Sequence, residues 1–397
     1  MTPTPTRLAR AIALALVVGL AAAGCATGGP ILANPPAQQP IVVTPTDAPV
    51  AVADPLPVEL PRDDAPHDRL TEWWYYTGHL RDDAGGRYGF EFVVFRAERG
   101  DFPVSWASHL ALTDETDARF LYGQRSEIGP QVDVGAGTPD VFSLAVSGFD
   151  PARPEAPPRA PWSMAGTNGT DRLRATVGDD EVRGSTAGFG LDLLLRATKP
   201  AALHDRDGWI DFGPAGGSYY YSRTAMSATG SLELDGRTLT VEGNAWFDHQ
   251  WGDFIAVGGG GWDWFAVNLD DGTDLTISLV RDADGSYPLV YGTLVEADGT
   301  VRHLDRDAFT LDATGRWTSP TTGAAYPAAW RIEIPADDLI IELEPTVADQ
   351  ELDTRATTGV TYWEGSQHVR AARGGVALGG EGYVELTGYA GATAESP

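Results

Sequence analysis

Glu72-Trp73-Trp74-Tyr75-Tyr76-Thr77-Gly78-His79-Leu80 is an aromatic-rich, strand-forming run. The polar, glycine-containing segment Arg81–Arg87 turns it back into a second strand over Tyr88–Arg96, so the pair reads as a β-hairpin with aromatic residues on both faces. Working outward, strands are predicted at Val104–Thr113, Val141–Gly148, Leu173–Val177 and Phe189–Thr198, where Leu191, Leu193 and Leu195 alternate with other residues. Pro151–Pro161 and Lys199–Ser218 read as long loops. Asp235-Gly236 is a two-residue hairpin turn joining Ser231–Leu234 to Thr238–Trp246. Further turns fall at Asp271-Gly272 and Asp298-Gly299, and later strands at Trp330–Ile334, Leu339–Leu343, Tyr362–Ala371 and Tyr383–Tyr389. Nearly everything after His67 is therefore β, with turns at the short spacing that barrels and sandwiches require.

The two halves echo one another. Trp73 precedes Leu80 by seven positions and Asp82-Asp83 follows; Trp262 precedes Leu269 by seven and Asp270-Asp271-Gly272 follows. The ends also correspond, Tyr221 and Val241-Glu242-Gly243 in the first half matching Tyr362 and Val384-Glu385 in the second. On this alignment the second half lacks a counterpart of the Trp246–Gly252 stretch, which points to a role in binding or chemistry for that stretch. The fold expected is all-β: two tandem antiparallel barrels.

Composition narrows the function. The 397 residues carry 56 acidic against 28 basic side chains, a formal charge of −28, which disfavours nucleic acid and anionic membrane surfaces as partners. Cys25 is the only cysteine, so no internal disulfide supports the fold. Arg7 and Arg10 precede an apolar run from Ala11 to Ala23, and Ala22-Ala23-Gly24-Cys25 resembles a bacterial lipobox. The expected organisation is a lipoprotein signal peptide (1–24), a flexible tether (25–64) rich in Pro, Ala, Thr and Asp, and barrels over 65–257 and 258–397 joined near Gly258–Gly261. Such a chain is exported and held at a membrane by a lipid on Cys25, facing the periplasm or the exterior.

Trp246-Phe247-Asp248-His249-Gln250-Trp251-Gly252 sets an acid and an imidazole between indoles. An Asp among aromatic rings loses hydration of its charged form, so its pKa rises toward the range of a general acid at neutral pH. His249 is the candidate to orient it, although a buried Asp–His pair also occurs as a purely structural contact. No Gly-x-Ser-x-Gly elbow, His-Glu-x-x-His zinc motif, phosphate-binding loop or dinucleotide fingerprint occurs. The seven histidines lie at 67, 79, 109, 204, 249, 303 and 368, none at a recognised ligand spacing. No metal or cofactor is expected, His79, His109 and His249 being the trio a fold would have to assemble for one. What remains is a barrel lumen rich in Trp and Tyr with a few acids, suited to a long apolar ligand. A protonated Asp could deliver H⁺ to an isolated C=C bond of that ligand, indole faces could stabilise the cation, and water would complete a hydration.

Taken together, Glu72–Leu80, Ser108–Asp114, Tyr219–Ser222, Trp246–Gly252, Trp262-Asp263-Trp264-Phe265 and Tyr362-Trp363-Glu364-Gly365 resemble the AttH-like family. That family includes carotenoid 1,2-hydratases (hydroxyneurosporene synthases) and proteins labelled predicted secreted hydrolases. The resemblance, from about His67 to Tyr389, implies two consecutive lipocalin-like barrels and a cofactor-free, acid-initiated addition of water. It also implies Asp248 and His249 as catalytic candidates, with Trp246, Trp251, Trp262, Asp263, Glu72 and Tyr221 around the ligand. Trp74, Tyr76 and His109, in the same motifs, complete the candidate ligand-binding set. The ligand expected is an isoprenoid or lipid-like small molecule; a carrier without chemistry and a secreted hydrolase are the competing readings.

Overall fold

The computed structural model describes residues 54–148, 159–254 and 260–390. Cys25, the expected leader, most of the expected tether and most of the Pro151–Pro161 stretch lie outside them, as do Gly258 and Gly259. The first sheet comprises β1 (Thr71–Asp82), β2 (Arg87–Ala97), β3 (Ser105–Asp114), β4 (Arg119–Ile128), β5 (Phe142–Val146), β6 (Trp162–Thr167), β7 (Thr170–Val177), β8 (Phe189–Ala197), the short β9 (Ala202–Leu203) and β10 (Trp209–Asp211), β11 (Gly217–Leu234) and β12 (Arg237–Gly252). The second comprises β13 (Gly261–Leu269), β14 (Asp274–Arg281), β15 (Leu289–Val295), β16 (Val301–Asp305), β17 (Thr310–Thr318), β18 (Ala325–Ile334), β19 (Leu339–Pro345), β20 (Glu351–Asp353), β21 (Thr361–Arg373) and β22 (Val376–Thr387). Helical structure among the described residues is limited to five single 3₁₀ turns. No helix among them is long and apolar enough to cross a membrane.

Both sheets are antiparallel and wound alike. The first runs β4-β3-β2-β1-β12-β11-β8-β7-β6-β5 and nearly closes; the second runs β16-β15-β14-β13-β22-β21-β19-β18-β17 as a half-barrel. In each, the opening strand lies between its hairpin partner and the last strand, and short strands pair with the penultimate one. These are two tandem lipocalin-like barrels. Superposing Trp73 on Trp262 makes the registers coincide: Tyr75 faces Asp248 as Trp264 faces Glu385, and Tyr220 faces Gln250 as Tyr362 faces Thr387. The true counterpart of Asp248 is therefore Glu385. Aligning the two Val-Glu pairs, as the sequence invites, slides the last strand by six residues and hides the match.

Strand patterns follow from what covers each face. On β7, far from the second barrel, exposed and buried positions alternate strictly. On β1 nearly every position is buried, because one face lines the first barrel's core and the other meets the second barrel. Trp74, Tyr76, Phe90, Phe92, Leu110, Leu193 and Phe247 belong to the first core. Phe265, Ile277, Leu294, Ile332, Ile341 and Leu386 belong to the second. Between them lies a third cluster of Tyr75, Val93, Phe95, Trp246, Trp264 and Tyr383. Gly89 marks the close approach, since a Cβ there would sit 2.7 Å from that of Ser366. The turn at Asp235-Gly236 has both residues at positive φ, 51° and 71°, as a twist-matched hairpin requires.

Three expectations need correction. The tether does not extend to residue 64: Asp63 and Asp64 are buried, and Asp54 is bound by Arg69 and Tyr219. A polar segment can be held by ion pairs and hydrogen bonds where hydrophobic patterning gives no sign of it. Lys199–Ser218 is not a plain loop, because β9 and β10 pair with the outer part of β11. Strands β4, β6, β17 and β20 are additional to those expected, while β15 and β16 flank the turn expected at Asp298-Gly299; β17 is exposed along most of its length and has no apolar face to betray it.

Candidate functional site between the barrels

On β12 the period of two decides which chemistry goes where. Phe247, His249 and Trp251 point into the first barrel, Trp246 and Asp248 toward the second. The expectation that His249 orients Asp248 therefore fails: adjacent residues on a strand face opposite ways. His249 instead shares a hydrogen bond with Glu72 (2.9 Å), which also holds the ring of His67 (2.7 Å). His249 stacks against Trp74, and His67 against Trp251 at 4.1 Å. Burial works against charge on His249 and lowers its pKa; it would raise that of Glu72, but the two imidazoles hold the carboxyl below its ordinary value. His67, Glu72 and His249 bring ligand atoms within 4.8 Å of one another, a donor set that could take a divalent ion. His79 and His109 are not part of it.

The cavity is not a barrel lumen. The first barrel's interior is filled by its own side chains, as a barrel of this girth permits. The space, about 910 Å³, lies at the seam of the two barrels. Trp73, Tyr75, Tyr220, Trp262, Trp264 and Tyr362 line it; Asp248, Glu91, Glu385 and Asp282 are its acids, and Arg281 and Arg355 its bases. This is the volume of a site for a small organic ligand.

Asp248 is 3% exposed. Its Oδ1 accepts hydrogen bonds from the Ser222 hydroxyl and, at 2.6 Å, from the Trp246 indole; its Oδ2 accepts the Tyr220 hydroxyl. Tyr220 in turn accepts the Trp264 indole N–H at 3.0 Å. Because Ser222 donates to Asp248, His204 Nε2, 2.6 Å away, is the donor to Ser222, and His204 Nδ1 then accepts from Thr293 at 2.9 Å. This chain of hydrogen bonds runs from β15 of the second barrel to β12 of the first. No basic side chain among the described residues pairs with the carboxyl. Burial pushes Asp248 up to about 6, against the pull of Ser222, Tyr220 and the indoles.

The second barrel supplies the other wall. Glu385 opens onto the cavity and accepts the Trp262 indole at 3.0 Å. Burial pushes it up to about 7, with a further lift from Asp248. Glu91 and Glu364 are fully buried without a cation, each bonded through one oxygen to a tyrosine, Tyr362 at 3.1 Å and Tyr75 at 2.8 Å. Burial raises Glu91 to about 8, and burial with the neighbouring carboxyls raises Glu364 well above its ordinary range. Glu91 is therefore a neutral acid at pH 7.

Of the residues singled out in the sequence, Asp248 and Trp262 face the cavity, and Trp246 lies behind Asp248. His109 stands one layer back, bonded to Tyr362 at 2.7 Å. Glu72, Trp74, Tyr76, Tyr221, His249 and Trp251 belong to the first barrel's interior, where Tyr76 bonds Asp171 and Tyr221 bonds Asp64. Asp263 is not on the lining but lies behind it, bound at 2.8 Å by Arg281, which is, and by Tyr389. The sequence did not single out Glu385, Glu91, Glu364, Tyr220, Ser222, His204 or Trp264 as site residues. The signal for the first and fourth was there in the duplication, once the registers are matched through Trp73 and Trp262.

Two lipocalin-like barrels sharing an aromatic, acid-bearing cavity at their seam define a tandem-lipocalin protein. The chain belongs to the AttH-like family, whose model matches residues 51–389. It is similar in structure to a putative AttH from Nitrosomonas europaea, with 30% identity, a TM-score of 0.69, and 85% of this chain and 98% of that one covered. Kievitone hydratase from Nectria haematococca shares the fold at 17% identity and a TM-score of 0.62, over 83% of this chain and 93% of that one. A dehydratase, asqC of Emericella nidulans, is 26% identical over 181 residues, 43% of this chain; the chain spans about half the length of that curated relative.

Proposed function

We propose that this protein adds water to, or removes it from, a carbon–carbon double bond of an uncharged, largely apolar ligand, isoprenoid or lipid-like, bound between the barrels. The observation that carries the reading is the Asp248 carboxyl: almost dry, without a cation, and on the wall of an aromatic cavity. Asp248 as a neutral acid protonates one alkene carbon; the cation formed at the other is stabilised by the faces of Trp264 and Trp262. Water then captures it. In the reverse direction Asp248 accepts the proton as the double bond forms. Export through the N-terminal leader and anchoring by a lipid on Cys25 would present the site to ligands outside the cytoplasm.

The test is incubation with an acyclic carotenoid in H₂¹⁸O, wild type against Asp248→Asn. Product carrying ¹⁸O with wild type alone is the expected result. A ligand that copurifies and is recovered unchanged would make the protein a carrier, and ester hydrolysis surviving Asp248→Asn would make it a hydrolase.

A further inference from the structure

We infer that Glu385 is a second catalytic carboxyl, the partner that takes the proton from water while Asp248 gives one to carbon. The inference rests on the hydration reading and deepens it.

The argument begins with the duplication. Each barrel sends its last strand, β12 or β22, along the opening strand of the same copy, with matching register. Asp248 lies opposite Tyr75 and Ser222; Glu385 lies opposite Trp264 and Glu364. The equivalent pairs Tyr75 and Trp264, Tyr220 and Tyr362, and Asp248 and Glu385 all line the one cavity. Two copies of one wall thus face each other across it, each carrying one carboxyl at the same place. Each carboxyl also accepts an indole N–H, Asp248 from Trp246 on its own strand and Glu385 from Trp262 on the neighbouring strand, so the donors come from non-equivalent positions.

The two carboxyls are not equivalent in detail, and the difference assigns their roles. Asp248 accepts three donors, which spread and stabilise the charge left after it releases a proton. Glu385 accepts one side-chain donor, leaving its other oxygen free to accept a proton from water in the cavity. Once ionised, Glu385 is the stronger base of the two; with Asp248 at about 6 and Glu385 at about 7 the resting pair keeps its proton on Glu385, so the reactive form is the one in which that proton has passed to Asp248.

The step balances. The Asp248 O–H bond and the alkene π bond break as a C–H bond forms; water's oxygen forms the C–O bond as its proton moves to the Glu385 carboxylate. Asp248 ends ionised and Glu385 protonated, and exchange of one proton through solvent in the cavity restores both. Dehydration is the same sequence run backwards. A site of this kind needs both barrels, since neither holds both carboxyls.

The experiment compares wild type, Asp248→Asn, Glu385→Gln, Glu385→Asp and the double variant Asp248→Asn/Glu385→Gln, with an acyclic carotenoid in H₂¹⁸O, across pH. Glu385→Gln keeps an acceptor for Trp262, and far-ultraviolet circular dichroism with a thermal melt checks that each variant is folded. Turnover is expected to fall by about 10²–10⁴-fold in Glu385→Gln, with the double variant no worse than the poorer single one. The wild-type profile should be bell-shaped, and the residual activity of Glu385→Gln should lose the limb that rises with pH, while Glu385→Asp recovers part of the rate and that limb. Wild-type rate and profile in folded Glu385→Gln would overturn this inference and leave the hydration reading standing. Absence of ¹⁸O incorporation by wild type would overturn both.

Discussion

Replacing Asp248 by Asn should change how stability depends on pH by an amount that can be worked out beforehand. The substitution keeps the shape of the side chain and removes its titration. In the folded protein burial raises this carboxyl from 3.8 to about 6, so the fold binds the proton more tightly than the unfolded chain does. The stability linked to that proton is complete below 3.8 and is lost as pH rises through 6. At 1.36 kcal/mol per pH unit the whole gap corresponds to about 3 kcal/mol, most of which, roughly 2 kcal/mol, falls between pH 4 and pH 7.5. The uncharged amide of the variant bears no such cost. Whatever the substitution costs through rearranged bonds to Ser222, Tyr220 and Trp246 is common to both pH values and cancels in the difference. Urea unfolding of both proteins at the two pH values gives the quantity directly, and the variant should gain about 2 kcal/mol on wild type on going to pH 7.5. Parallel pH curves for the two proteins would mean that the Asp248 carboxyl is hydrated or neutralised by a cation, and the acid chemistry assigned to it would fall with that result.

Ser222→Ala removes one of the donors that hold the Asp248 pKa down, so the limb of activity that falls with rising pH should move to higher pH; a pH–rate profile unchanged from wild type would detach the His204–Ser222 chain from the acid. Glu91→Gln removes a carboxyl held protonated to about 8. Wild type loses the stability tied to that proton between pH 4.5 and pH 8, so the variant should gain on it over that interval by on the order of 4 kcal/mol, measured by the same unfolding series.

The hairpins and the repeated barrel were legible because strand geometry is local: aromatic runs, Asp-Gly turns and even spacing announce themselves. Asp248 was legible for the same reason, since Trp246, two positions away on the same face of the strand, is also its partner in space. The pairing with His249 was misjudged because adjacency in a strand means separation in the fold. Nothing in the strands around Glu364 and Glu385 marks them as buried, because the docking of one barrel on the other covers them, and docking leaves no periodic mark. His204 sits in a segment without strand pattern, and its approach to Ser222 follows from the pairing of β9 with β11.

The alternation along β12 gives spacing itself a chemical meaning. Losing one residue ahead of Trp246 would turn the carboxylate into the packed centre of the first domain, among rings that offer it no donors, and swing the imidazole out to the seam. Losing two would restore the sides but carry every group one step along the strand, away from Ser222 and Tyr220. Length changes are thus far less tolerable here than at the Asp235-Gly236 tip, where a longer turn would leave both rows of side chains facing as they do now.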